Sequence, residues 1–170
     1  MRTLRELMEI QPNVGRVEWL GVRPARRQPL ISVRTVEARE GRGLQGDHKA
    51  TRGRGKRQVT LIQQEHLNVV AELLGKEHID PALLRRNVVV SGINLLALRN
   101  SRFQLGTAML EGADHCHPCS RMEEALGLYG YNAMRGHGGI VARILNDGVI
   151  ALGDQVRWVE TPKEPGELLH

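Results

Sequence analysis

Eight short runs of strand-forming residues, most of them closed off by glycine-containing turns, limit most strongly what this chain can fold into. They are 14–21, 30–38, 58–63, 87–90, 103–112, 140–145, 149–152 and 155–159. Residues 30–38 show the clearest period of two, with Ile31, Val33 and Thr35 alternating against Ser32 and Arg34. Such alternation puts one side-chain set on each face of a sheet. Asn146-Asp147-Gly148 predicts a tight hairpin, because Asn/Asp-Gly pairs tolerate the positive φ angles of such turns. Helical signals are fewer. They cover residues 2–10, residues 64–74 with Leu67, Val70 and Leu74 at helical spacing, and a short segment opened by Asp80-Pro81. Regular strand–helix alternation is missing, which argues against a doubly wound parallel sheet. The expectation is a mainly β fold, a small β-barrel with two or three short helices.

The 170 residues fit one domain. Residues 1–13 read as an N-terminal helix or extension, 14–160 as the domain and 161–170 as a frayed polar tail. No apolar run approaches the roughly 20 residues needed to span a bilayer. The first residues, MRTLRE, lack the apolar stretch of a secretory signal. The expectation is a cytoplasmic protein with no membrane partner.

Charge is concentrated in the first third of the chain. Residues 16–57 hold twelve Lys/Arg against four Asp/Glu, whereas residues 58–170 hold ten against thirteen. A basic, glycine-rich loop at 41–56 with Arg57 behind it suits a phosphate or another anion. The chain has only five aromatic residues, Trp19, Phe103, Tyr129, Tyr131 and Trp158. That is sparse for stacking single-stranded bases and argues against a nucleic-acid partner.

The chemistry-bearing stretch is His115-Cys116-His117-Pro118-Cys119-Ser120-Arg121-Met122-Glu123. Ser120 and Glu123 match a capping box, which predicts a helix start with Cys119 just before it. The orphan N–H groups of that helix, together with Arg121, His115 and His117, would favour a thiolate. Three readings stay open for the two cysteines. One is thiol–disulfide exchange, although the motif is not followed by a βαβ unit. Another is a zinc site from His115, Cys116, His117 and Cys119, which is crowded for a tetrahedral ion. The third is a single catalytic or metal-binding cysteine.

An ordered set of segments resembles the MOSC domain, the family named after the C-terminal domain of molybdenum cofactor sulfurases. The segments are 43–48 (GLQGDH), 57–61 (RQVTL), 84–95 (LRRNVVVSGINL), Pro118-Cys119, Gly138-Gly139, Gly148 and Gly153-Asp154. The resemblance covers roughly residues 14–159 and implies a MOSC-type β-barrel that binds the molybdenum cofactor (molybdopterin). At the level of the family it also carries pyridoxal phosphate binding. It implies that Cys119 is the metal ligand and that Arg57, Arg85, Asn87, Gly46 and Lys49 lie about the pterin phosphate. Asp47 and His48 become a catalytic acid–base or orienting pair.

The implied reaction is reduction of an N-hydroxylated small-molecule substrate. The implied alternative is a sulfur (persulfide) or cofactor carrier without turnover. The larger reductases of the family have an N-terminal β-rich region that this sequence does not show. Haem, flavin and iron–sulfur motifs are also missing, so the partner expected is a separate electron donor or sulfur donor protein.

Overall fold

A computed structural model describes residues 1–10, 13–51 and 55–159. The expected tail at 161–170 and positions 52–54 of the basic loop lie outside the described residues. Eleven strands are present among them: β1 Gly15–Val22, β2 Ile31–Ser32, β3 Thr35–Arg39, β4 Gly43–Leu44, β5 Val59–Gln63, β6 Val88–Ser91, β7 Arg102–Leu105, β8 Ala108–His115, β9 Ile140–Asn146, β10 Gly148–Ala151 and β11 Gln155–Val159. The helices are α1 Leu4–Met8, α2 Gln64–Leu73, α3 Ser120–Leu126 and α4 Gly130–Met134. Single 3-10 turns cover His48–Thr51, Pro81–Leu84 and Leu95–Leu98.

Seven strands close into a barrel in the order β1, β11, β7, β8, β9, β5, β6 and back to β1. Closure leaves no free sheet edge in the ring. Among the described strands one pair is parallel, β5 with β6, and it is joined through α2, as a parallel connection requires a crossover. Strand β2 extends β1 outward, and β10, β3 and β4 form a small second sheet.

Burial explains why two of the strands are apolar on both faces. Leu61, Val88 and Val90 point into the barrel with Leu20, Phe103 and Leu110. Their neighbours Ile62 and Val89 point outward, where Leu67, Val70, Leu84, Met122 and Met134 cover them. A parallel pair covered on both sides needs such continuous apolar runs. Thus α2, α3, α4 and the Pro81–Leu84 turn form one outer layer, which sets the start of α3 beside the end of β8.

The structure departs from the sequence pattern at several places, each with a physical reason. Asn146-Asp147-Gly148 is a corner between sheets and not a hairpin. Both edges of β9 are already filled by β5 and β8, so β10 pairs with β3 instead. The run at 103–112 is two strands, because a tight turn at Gly106-Thr107 sets Leu105 opposite Ala108. Gly106 has φ +59, the conformation such a turn asks of its first central residue. The run at 30–38 breaks at Val33 and Arg34, where the chain leaves the barrel for the second sheet. Helix α1 is shorter than residues 2–10, and none of its residues is buried. Helix α4 had no sequence signal that set it apart. No helix among the described residues is long and apolar enough to cross a membrane.

Gly139 marks the tightest approach in the fold. Its φ is +81, and a Cβ there would lie only 1.9 Å from the Leu61 carbonyl oxygen, far inside contact distance. Gly139→Ala is therefore expected to destabilise the protein by about 3 kcal/mol or more, from strain and overpacking together; denaturant midpoints measure this. A second expectation concerns His66 on α2, whose ring packs edge-on against His137 at 5.2 Å between centroids. Burial, then the charge of His137, lowers the His66 pKa. The folded state therefore resists protonation while the unfolded state does not. Its contribution to stability is complete above the ordinary imidazole value of about 6.5 and is lost as pH falls below it. Melting curves of His66→Gln against wild type should show a shallower acid loss in the variant.

Candidate functional site

One buried carboxylate organises the loop that follows β4. Asp47 Oδ2 accepts from the Arg23 backbone N–H at 3.0 Å and from Asn87 Nδ2 at 2.9 Å. Its Oδ1 accepts from the Lys49 backbone N–H at 3.0 Å, an Asx-type turn. Asn87, at the entrance to β6, is used on every side. Nδ2 also donates to the Gly21 carbonyl at 3.1 Å, and Oδ1 accepts from Thr60 N and Oγ1 at 3.2 and 2.9 Å. Asn87 thus ties β1, β5 and β6 to the loop, and its amide has no donor left over for a ligand. The structure makes it the residue that aims Asp47.

Around this carboxylate stand four cations. Arg23, Lys49 and Arg85 line a small cleft with Leu30, Thr60, Asp47 and Asn87. Arg57 completes the group. The Lys49 pKa is lowered by burial first, then by Arg57 and Arg23. That of Arg23 is lowered by burial first, then by Arg85, with Asp47 opposing. Four cations to one carboxylate leave a net positive cleft. Arg85 adds two marks of a site. It is a non-glycine residue at φ +59, and its Nε is buried without a hydrogen-bond partner. Residues held in that left-handed region cluster at functional sites. Arg86 plays a different part. It is buried and donates to the carbonyls of Leu84, Cys116 and Gly138 at 2.8, 3.0 and 3.0 Å. Arg86 is therefore part of the frame and not of the open cleft.

His48 is mostly buried and sits between this cleft and a wider pocket. Its Nε2 is 3.4 Å from Arg23 Nη2 and its Nδ1 is 3.6 Å from Asp47 Oδ1. The wider pocket, about 660 Å³, is bordered by Gly46, Asp47, His48, Arg39, Arg42 and Asp147 among others.

The two cysteines differ sharply. Cys116 is buried, and Arg57 Nη2 lies 3.8 Å from its sulfur. Cys119 is exposed and stands as the N-cap of α3. Residues 116–119 carry no regular secondary structure, and the Cys119 backbone is extended, with φ −129 and ψ 174. With Cys116 enclosed and Cys119 open to solvent, the pair does not present two accessible thiols. A capping box does not form either. Ser120 is the first helical residue, and Glu123 instead accepts from the backbone N–H groups of Tyr129 and Tyr131, both at 2.8 Å. No cluster of three or more His, Cys, Asp or Glu side chains suited to a metal occurs among the described residues. Arg121, two residues past Cys119, is near enough to Arg23 to disfavour its charge.

The fold thus brings Gly46, Asp47, His48, Lys49, Arg85 and Asn87 to one cleft and the pocket beside it, with the Arg57 charge felt at Lys49 and Cys119 exposed at the start of α3. Sequence reasoning missed Arg23 and the buried position of Cys116. Arg23 lies in the segment RPARRQP among three arginines, and nothing local distinguishes it. Replacing Asn87 with Leu should cost about 3 kcal/mol, because Asp47 loses a buried donor and Thr60 an acceptor. Chemical denaturation would report it, and a change under about 1 kcal/mol, the scale of a single ordinary hydrogen bond, would contradict the assigned role of Asn87.

Comparison with known proteins agrees with this architecture. The family model described as "MOSC domain" matches residues 46–157. No curated protein sequence matches the chain. Among solved structures, the YuaD protein from Bacillus subtilis is similar with a TM-score of 0.74 at 21% identity, covering 90% of this chain and 100% of that one. YiiM from Geobacillus stearothermophilus gives 0.67 at 19% identity, over 86% of this chain and 75% of that one. YiiM from Escherichia coli gives 0.65 at 16% identity, over 88% and 72%. At these identities the likeness speaks for the fold, and the family-model match, which spans well over half of the sequence, establishes that the chain belongs to the MOSC domain family.

Proposed function

We propose that this protein binds the molybdenum cofactor and reduces the N–O bond of N-hydroxylated small molecules, using electrons from a separate donor protein. The observation that carries the reading is the gathering of Arg23, Lys49 and Arg85 in one cleft, with the Arg57 charge felt at Lys49 and an exposed thiol at Cys119. The residues fit such a group on chemical grounds. Arg85 Nε is buried and lacks a partner, and guanidinium forks match phosphate oxygens. An exposed thiol supplies a soft donor for a metal. Cys119 would hold the metal, and Arg57, Arg85 and Lys49 the pterin phosphate, with Gly46 in the loop beside them. When bound, the cofactor supplies the two-electron redox centre.

The balance of the reaction defines what the protein's own groups must do. One N–OH group, two electrons and two protons give one N–H group and one water. His48 is the relay residue in this reading, taking a proton at Nε2 and passing it on. Asp47 orients it, and Asn87 and the Lys49 backbone hold Asp47 in turn. The wider pocket beside His48 is the place for substrate.

A second reading is favoured by the exposure of Cys119: a carrier that bears a persulfide on that sulfur and hands it to an acceptor without turnover. One experiment separates the two. The protein is purified from a host that makes the cofactor, and bound molybdenum and intact mass are measured together. Cofactor binding predicts molybdenum in the wild type. Cys119→Ser should lower it by more than the roughly 10–100-fold that loss of a supporting contact costs. An extra sulfur atom on Cys119 with no molybdenum would favour the carrier. Absence of molybdenum, or its full retention by Cys119→Ser, would overturn the leading reading.

A further inference from the structure

We propose that Arg23 is a positioning residue for His48, holding its imidazole neutral, with the proton on Nδ1 and the lone pair on Nε2. The inference stands on geometry that does not depend on a bound cofactor. Arg23 and His48 are first joined through the main chain. The His48 N–H donates to the Arg23 carbonyl at 2.7 Å. The Arg23 N–H in turn donates to Asp47 Oδ2 at 3.0 Å. These bonds set the two side chains against each other whatever group Arg23 carries.

The side chains then meet at 3.4 Å, Arg23 Nη2 to His48 Nε2. A guanidinium has donors only, so Nε2 must be the acceptor. A neutral imidazole with its lone pair on Nε2 has its proton on Nδ1. That nitrogen lies 3.6 Å from Asp47 Oδ1, beyond hydrogen-bond length but close enough for the carboxylate's charge to favour a proton there. Both ends of the ring therefore agree on one tautomer. An imidazolium would instead set an N–H and a positive charge against the guanidinium. The tautomer with the proton on Nε2 would set two donors face to face.

The surroundings give Arg23 reason to stay. Burial first, then Arg85 and Arg121, disfavour its charge, and Asp47 is the carboxylate that attracts it. In free histidine the Nε2–H tautomer prevails, so the arrangement inverts the usual preference and leaves a spectroscopic signature. Its consequence for the proposed reaction is specific. In the resting state His48 has a lone pair to offer and no proton at Nε2 to give. Any relay through it begins with proton uptake, which Arg23 must yield to.

Long-range proton–nitrogen NMR of nitrogen-15-labelled protein at mildly alkaline pH tests this, with His48→Asn identifying the ring signals. The wild type should show His48 Nδ1 in the protonated range and Nε2 in the unprotonated range. Arg23→Met should move the population toward Nε2–H, and Arg23→Lys, which retains a donor, should restore the wild-type pattern in whole or part. Purely structural support by Arg23 would not produce that order. A wild-type ring protonated on Nε2 overturns the proposal, and that measurement needs no variant of Arg23 to fold. An unchanged tautomer in a folded Arg23→Met protein overturns the role of Arg23, since Asp47 would then suffice. Molybdenum content plays no part in the readout, so its failure and that of the cofactor reading are separate results.

Discussion

One buried hydrogen bond, from Asn87 Nδ2 to Asp47 Oδ2, couples the barrel to everything that surrounds the cleft. Asn87 belongs to the wall, where it joins β1, β5 and β6 through Gly21 and Thr60. Asp47 belongs to the loop, where it holds Arg23 and Lys49 by their backbone N–H groups. A buried carboxylate is expensive to desolvate and is tolerated here because several donors surround it. The same bonds fix the start of the Arg23 side chain and the position of His48. The site's geometry is therefore a consequence of how the barrel's seam is satisfied.

The cations gathered there work against one another. Arg23, Lys49, Arg57 and Arg85 raise the energy of each other's charged forms, and one carboxylate does not offset four positive groups. Two unit charges roughly 4 Å apart at an effective dielectric near 20 interact by about 4 kcal/mol. A stable fold holds such a group because the apolar barrel and its outer layer fix the backbone beneath it. Arg86 shows the contrast. It is buried in the same region but spends its donors on three carbonyls, joining the segment after β8 to the loop before β9. Neighbours in sequence thus have opposite roles, one open toward the cleft and one closed into the frame.

How much of this was legible can be argued from particular residues. The barrel was, because short strand-forming runs separated by glycine turns outnumber the helical ones and do not alternate regularly with them. Helix α2 was, because Leu67 and Val70 sit at helical spacing. Gly106-Thr107 and Asn146-Asp147-Gly148 misled in opposite directions. Gly106-Thr107 turns a hairpin on a weak signal, whereas Asn146-Asp147-Gly148 has the residues of a hairpin turn but cannot form one. Local turn chemistry says that the chain can reverse; it does not say which strand edge is still free. Ser120 and Glu123 show the same limit. The capping pattern is present, yet Glu123 finds better partners in the backbone of Tyr129 and Tyr131.

By itself the sequence determined the class of fold, the family resemblance and the residue types of the site, because hydrophobic period, glycine position and local motif are properties of nearby residues. It marked Asp47, His48, Lys49, Arg57, Arg85, Asn87 and Cys119 as a set. Only the tertiary structure decided where each of them stands. It made Asn87 and Arg86 parts of the frame, left Arg85 open, brought Arg23 against His48, and set Cys116 inside and Cys119 outside. Those outcomes depend on which buried donors and acceptors remain after the barrel has closed. That remainder is settled between strands far apart in sequence.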